Sequence, residues 1–265
     1  MPSGEGISPY FPFQRNQSMS PKMALQLYTL RDLTSHDFEG VVRKVAAMGY
    51  QGVETAGFGN SNPNAAKRLL DSLGLEVVGL HAPMPLGERR QEVIDHALLF
   101  GCRYLVTPHI GREDVKDMDA IQNLCDRLNQ SQKVAKAHGM TLVIHNHWWE
   151  YARMNGRLIA DLMIDLLDPA ILFELDTYWI KVAGVDPAER VRQLGKRAPL
   201  LHIKDGPGVR DEPQTALGEG IMDFASIRDA GGSTTEWWIM EADRVNGDPL
   251  EAVEKSIHFM KGLLQ

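Results

Sequence analysis

Residues 141–176 read TLVIHNHWWEYARMNGRLIADLMIDLLDPAILFELD. Short apolar runs stand at both ends, TLVIH and ILFELD, with a loop and a helical segment, RLIADLMIDLLD, between them. A strand, a helix and a second strand in this order imply two parallel strands joined by a crossover. Both runs stop on polar groups. The first runs into His145, His147 and Glu150, and the second closes on Asp176.

The same unit recurs outward in both directions. ALQLYT (24–29) precedes DFEGVVRKVAAMG (37–49), QGVET (51–55) precedes NPNAAKRLLDSLG (62–74), and LEVVGLH (75–81) precedes ERRQEVIDHALLFG (88–101). CRYLVTPH (102–109) precedes a long helix from about Asp117 to Gly139. AILFELD (170–176) precedes DPAERVRQLGKR (186–197). PLLHIKD (199–205) precedes a loop with Gly218 and Gly220 and then DFASIRDAG (223–231), and EWWIMEAD (236–243) precedes DPLEAVEKSIHFMKGLL (248–264). Several helices end on Gly, which favours the left-handed cap. Eight such units in about 240 residues predict a single (β/α)8 TIM barrel with a closed parallel sheet. No GxGxxG follows the first strand and there is no Walker motif, so an open nucleotide-binding sheet lacks its marks.

Residues 1–22, rich in Pro, Gly and Ser, are expected to form a flexible extension, with the barrel spanning 23–265. Tyr10, Phe11 and Phe13 are its aromatic residues. The chain of 265 residues has 28 basic and 35 acidic residues, a net charge of −7, which argues against a nucleic-acid surface. No apolar run is long enough to span a bilayer. The two cysteines form no CxxC motif and suggest a reducing compartment, so a cytoplasmic location is expected.

In such barrels the chemistry gathers at the C-terminal ends of the strands. Those ends carry five of the nine histidines: His81, His109, His145, His147 and His202. They also carry Glu54, Glu150, Asp176, Lys204, Glu241 and Asp243, with Arg31 just after the first strand. Carboxylates with a neutral imidazole suit a divalent cation, and Glu150, Asp176, His202 and Glu241 close four hydrophobic runs. Residues two apart share a strand face, so His202 and Lys204 point together, as do Glu241 and Asp243. The Lys204 ammonium could hold a substrate oxygen, or could pair with Asp205 or Asp243. Glu174 fits a buried partner of an interior cation. Trp148 and Trp149 fit either an apolar wall beside this rim or packing.

The chain resembles the xylose-isomerase-like barrel superfamily of sugar isomerases, epimerases and inosose dehydratases. The matching segments are LQLYTLRD, GYQGVE, GLEVVGLHAP, IHNHWWEY, ELDTYWIKVAGVDP, LLHIKDG, LGEGIMDF and WWIMEAD, spread from residue 25 to residue 243. The resemblance implies one divalent ion, Mn2+, Mg2+ or Co2+, held by strands five to eight. Asp176, His202 and Glu241 carry over directly. The fifth-strand ligand is taken as Glu150, with His145 as the competing assignment and His147 as an acid/base group. It also implies proton abstraction next to a carbonyl through a metal-stabilised enediolate, with Glu150 and Glu241 on opposite substrate faces.

Return of the proton gives a sugar isomerase or epimerase. Loss of a β-group gives a dehydratase or lyase on a keto-sugar or inosose. His81, His109, His145, Lys204, Glu54 and Arg31 are the expected substrate contacts, a salt bridge to Asp32 or Glu54 being the other reading of Arg31. No basic phosphate cradle is evident in the sequence, which favours a neutral sugar. A multi-metal DNA-repair nuclease on the same barrel conflicts with the acidic charge, and a non-catalytic sugar-binding barrel has little use for an open metal site. A dimer or tetramer is expected.

Overall fold

A computed structural model describes residues 20–264. Of the expected N-terminal extension, residues 1–19 with their aromatic side chains lie outside the described residues, and Lys22 already belongs to the first strand. Eight parallel strands close into a barrel: β1 (Lys22–Gln26), β2 (Gly52–Thr55), β3 (Glu76–His81), β4 (Tyr104–Thr107), β5 (Thr141–His145), β6 (Leu172–Asp176), β7 (Leu200–Ile203) and β8 (Trp237–Met240). Closure is made by β1, whose Leu25 pairs with Met240 of β8 on one side and Val53 of β2 on the other. Around the sheet run α1 (Arg31–Met48), α2 (Pro63–Ser72), α3 (Arg90–Phe100), α4 (Met118–Ala137) and α5 (Ile159–Leu166). They are followed by α6 (Thr177–Val182), α7 (Pro187–Leu194), α8 (Phe224–Gly231) and α9 (Pro249–Leu264).

Eight strand segments fall where the hydrophobic runs predict them, with two local differences. The first strand stops at Gln26 rather than continuing to Thr29, because the Gln26 side chain accepts from the Tyr28 backbone N–H and starts a short 3-10 turn. That turn leads directly into α1, which is broken at Asp37 (φ −147°, ψ 75°). Asp37 Oδ1 accepts from Gly40 N, so the predicted helix start survives as an internal cap. The short α6 was not expected. Asp176 creates it by accepting from Trp179 N at 2.9 Å.

Two apolar layers hold the barrel. Ala24, Val78, Tyr104, Val106, Val143, Leu200, Trp237 and Ile239 fill the lower interior, and a larger cluster packs the outer strand faces against the helices. Period two then places polar residues on the same inward columns, one or two steps further along each strand. Leu200 is followed by His202 and Lys204, Ile239 by Glu241, Leu172 by Glu174 and Asp176, and Val143 by His145. The bottom of the barrel is an apolar plug, and the top carries the polar side chains.

The long loop after β7 is tied down by one buried carboxylate. Asp205 accepts from the backbone N–H groups of Gly206, Gly218, Gly220 and Met222 at 2.9–3.1 Å. A Cβ at Gly220 would stand 2.1 Å from Asp205 Oδ1 and 2.3 Å from Gly206 N. Gly220→Ala is therefore expected to cost about 1–3 kcal/mol by overpacking, read as a lower urea midpoint with an unchanged slope. A variant as stable as the wild type would show that the loop does not depend on this anchor.

Candidate metal-binding active site

Each inward polar residue is fixed by its strand and by one further contact. Asp176 is both the last residue of β6 and the cap of α6, so Oδ1 is engaged by Trp179 N while Oδ2 faces the Lys204 ammonium at 3.0 Å. Asn146 joins the ends of β5 and β6, accepting from Asp176 N at 3.1 Å. His202, wholly buried, stands at the centre. Its Nδ1 lies 2.7 Å from Glu241 Oε2 and its Nε2 lies 2.7 Å from Glu54 Oε2 and 3.0 Å from Glu174 Oε2.

Two groups of donor atoms share His202. The upper group is His145, Asp176, His202 and Glu241, and the deeper one is Glu54, His81, Glu174 and His202, each with ligand atoms within 4.8 Å of one another. The deeper carboxylates belong to the foundation of the site. Glu54 and Glu174 are wholly buried, and Glu54 also accepts from Gln26 Nε2 at 2.9 Å. A Cβ at Gly79 would come within 2.5 Å of Glu54 Oε1, so the glycine makes room for this carboxylate. Carboxylates against one ring nitrogen of a histidine orient the other nitrogen for a ligand.

Lys204, only 1 % exposed, supplies a buried ammonium. It lies 2.7 Å from Asp243 Oδ2, 2.8 Å from Glu241 Oε2 and 3.0 Å from Asp176 Oδ2. Its pairing is with Asp243, Glu241 and Asp176 rather than with Asp205, which is engaged in the loop. Burial pushes its pKa down, but Asp176, Asp243 and Glu241 outweigh this and hold it well above the usual lysine range. Burial likewise lowers His81, yet Glu54 and Glu174 raise it to about 10. Burial, with His202 beside it, holds His145 well below the usual imidazole range, so it is neutral. Burial raises Asp176, with Glu241 and Asp243 adding to the effect against Lys204 and His202. Five carboxylates thus face one lysine and the imidazoles.

Above this cluster opens a cavity of about 380 Å³ whose lining includes Tyr28, His81, His109, His145, His147 and Glu241. His147 stacks on Trp149 at 4.4 Å, and Trp149 Nε1 donates to Ile110 O, so Trp149 is a platform for the imidazole. His109 meets His147 edge-on at 5.1 Å, and burial followed by the charge of His147 lowers its pKa.

The structure brings together most of the residues singled out in the sequence, but not all in the expected places. Asp176, His202 and Glu241 converge with His145. Glu150 does not join them. It is 2 % exposed, accepts from His147 N at 3.0 Å, and lines a separate apolar cavity with Ile144, Tyr151, Met163, Phe173 and Arg190. The reason is local geometry: β5 ends at His145, and the short 3-10 turn at Trp149–Tyr151 swings residue 150 outward. Glu54 lies beneath the site rather than at its mouth. Arg31 makes neither of the expected salt bridges and donates instead to the carbonyls of Tyr28 and Asp243. Among the described residues, no helix is long and apolar enough to cross a membrane.

Known proteins resemble this chain at low identity. An inosose dehydratase from Clostridium beijerinckii is 23 % identical over 266 residues, covering 84 % of this chain and 89 % of the relative. A sugar phosphate isomerase/epimerase structure from Parabacteroides distasonis superposes with a TM-score of 0.78 at 24 % identity, covering 92 % of this chain and all of that one. A probable 3-DHS dehydratase from Bacillus anthracis superposes with a TM-score of 0.72 at 15 % identity, covering 91 % and 98 %. The two structures speak for the fold alone. The sequence profile of the family is matched over residues 42–263, across β2 to β8 and every inward carboxylate and imidazole just described. With that span and this closed barrel, the chain belongs to the xylose isomerase-like TIM barrel family.

Proposed function

We propose that the protein is a divalent-metal-dependent sugar isomerase or epimerase. The observation that carries this is the convergence of His145, Asp176, His202 and Glu241 at the mouth of a closed barrel, with ligand atoms within 4.8 Å of one another. Oxygen and imidazole donors with surplus negative charge suit a hard or borderline divalent ion such as Mn2+, Mg2+ or Co2+. These four residues would hold it, and His145 takes the place that sequence pattern gives to Glu150. When bound, such an ion polarises a substrate carbonyl and its neighbouring hydroxyl.

The remaining work falls to the chain itself. Glu241, at the rim, is placed to take a proton from the carbon beside the carbonyl. Lys204 donates to the oxygen on which charge builds, and its fixed position means that little reorganisation is needed. His147 and His109 line the opposite wall and move the proton on the other face. Glu150 acts through His147, whose backbone N–H it holds.

A dehydratase or lyase acting on a keto-sugar is the second reading. It is favoured by the inosose dehydratase relatives and by imidazoles able to protonate a leaving hydroxyl. Both readings share the first proton abstraction. A reducing, cytoplasmic setting and a dimer or tetramer complete the proposal.

Metal content separates the ligand assignments. His145→Ala is expected to lose the ion on dialysis, while Glu150→Ala retains about one equivalent, as the carboxylate lies outside the donor group. Retention in the first and loss in the second would overturn the assignment. Absence of any bound ion in wild-type protein after reconstitution would remove the metal-dependent mechanism. Incubation with keto-sugars in D2O then reads the chemistry. Solvent deuterium in recovered sugar marks isomerisation or epimerisation, whereas loss of water marks the dehydratase.

A further inference from the structure

A second cavity of about 320 Å³ adjoins the first, and Asp243 lines both. Arg31, Arg210, Arg244 and Trp179 form its other walls. These residues come from the start of α1, the loops after β7 and β8 and the short α6, and nothing in the proton-transfer scheme uses them.

The donors here have charge to offer. Arg31 lies 4.2 Å over the Tyr28 ring, and its guanidinium donates only to the main-chain carbonyls of Tyr28 and Asp243, each at 2.9 Å. Arg244 donates to the backbone carbonyl of Asp211. Among the described residues, neither has a carboxylate within 4.0 Å. Trp179, 9 % exposed, closes the cavity on the α6 side.

The carboxylates at the cavity are already engaged or peripheral. Asp243 Oδ2 is held by Lys204 at 2.7 Å and by Gln214 Nε2 at 3.0 Å. Asp211 pairs with Arg210 at 3.1 Å, and Glu212 is exposed. Arg210 also lies 4.8 Å over the Trp148 ring, which fixes it at the rim.

The geometry points to an anion subsite: Arg31 and Arg244 receive the carboxylate or phosphate of a substrate whose sugar portion occupies the histidine-lined cavity. Guanidinium groups favour these planar or tetrahedral oxyanions through charge-assisted hydrogen bonds. The inference rests on the reading of that cavity as a sugar site, and it replaces the neutral substrate expected from sequence by an acidic one.

The test is calorimetric titration of the full chain with glucose, glucuronate and glucose 6-phosphate at constant ionic strength. At least one of the anions is expected to bind about tenfold more tightly than glucose, as an additional charge-assisted contact would give. Which anion wins identifies the carboxylate or phosphate source. Arg244→Gln, on the surface, is expected to erase most of the preference. Arg31→Gln, which removes the second guanidinium, is expected to weaken the anion about fivefold and leave glucose unchanged. Equal binding of the three sugars, failure of both anions to bind, or a preference that survives both substitutions would overturn the subsite. None of these readouts requires turnover, and metal content is measured separately. Loss of the metal site would therefore remove the proposed chemistry without erasing an anion preference, and the reverse outcome is equally distinct.

Discussion

Glu241→Gln is expected to abolish turnover while leaving a folded protein. The amide has the same shape as the carboxylate, and the position is at the rim, above the apolar plug that stabilises the barrel. What is lost is one negative charge that meets His202 Nδ1 at 2.7 Å and Lys204 Nζ at 2.8 Å. The same charge is a proposed metal ligand and the proposed proton acceptor. Removing both roles should cost about 4 kcal/mol of transition-state stabilisation, or on the order of 10³-fold in kcat. Manganese affinity should fall at least as much as it does for loss of an outer-shell partner, by more than about 10–100-fold. Turnover is measured on the sugar identified by deuterium exchange, and metal affinity by titration. Near-normal turnover in a variant with native circular dichroism would exclude this carboxylate from the chemistry.

Lys204→Met should have the largest effect on stability. The side chain is 1 % exposed and meets Asp176, Glu241 and Asp243 within 3.0 Å. Methionine fills much of the same volume but leaves these carboxylates facing one another without the ammonium. Breaking a buried ion pair from one side costs about 3–5 kcal/mol. At about 2–4 °C per kcal/mol for a domain of this size, the melting temperature of the metal-free protein should fall by roughly 10 °C. Saturating Mn2+ should restore part of the loss, since a divalent ion bound to the folded form neutralises the same carboxylates. A change below about 1 kcal/mol in urea unfolding would mean that the carboxylates are relieved in another way, such as by protonation.

Arg31, Arg210 and Arg244 mark the limit of what a linear pattern carries. None lies in a basic run, and each sits beside an acidic residue, Asp32, Asp211 or Asp243, that invites a salt-bridge reading. Only the closed barrel brings the start of α1 and the loops after β7 and β8 to one side of the mouth. Glu150 makes the opposite point. Its place after HNHWW looks like the end of a strand, yet the strand stops five residues earlier and a tight turn redirects the side chain.

Periodicity determined the barrel. A run such as ILFELD must be buried on both faces, and eight of them separated by helices leave a closed parallel sheet as the compact solution. Period two also placed His202, Lys204, Glu241 and Asp176 on inward columns, because alternation is a property of the strand itself. The partners of those side chains were decided by tertiary structure. Strand stagger sets which residue on one column meets which on the next, pairing His202 with Glu54 from β2 and Lys204 with Asp243. Those distances depend on register and closure, which arise only when all eight strands meet.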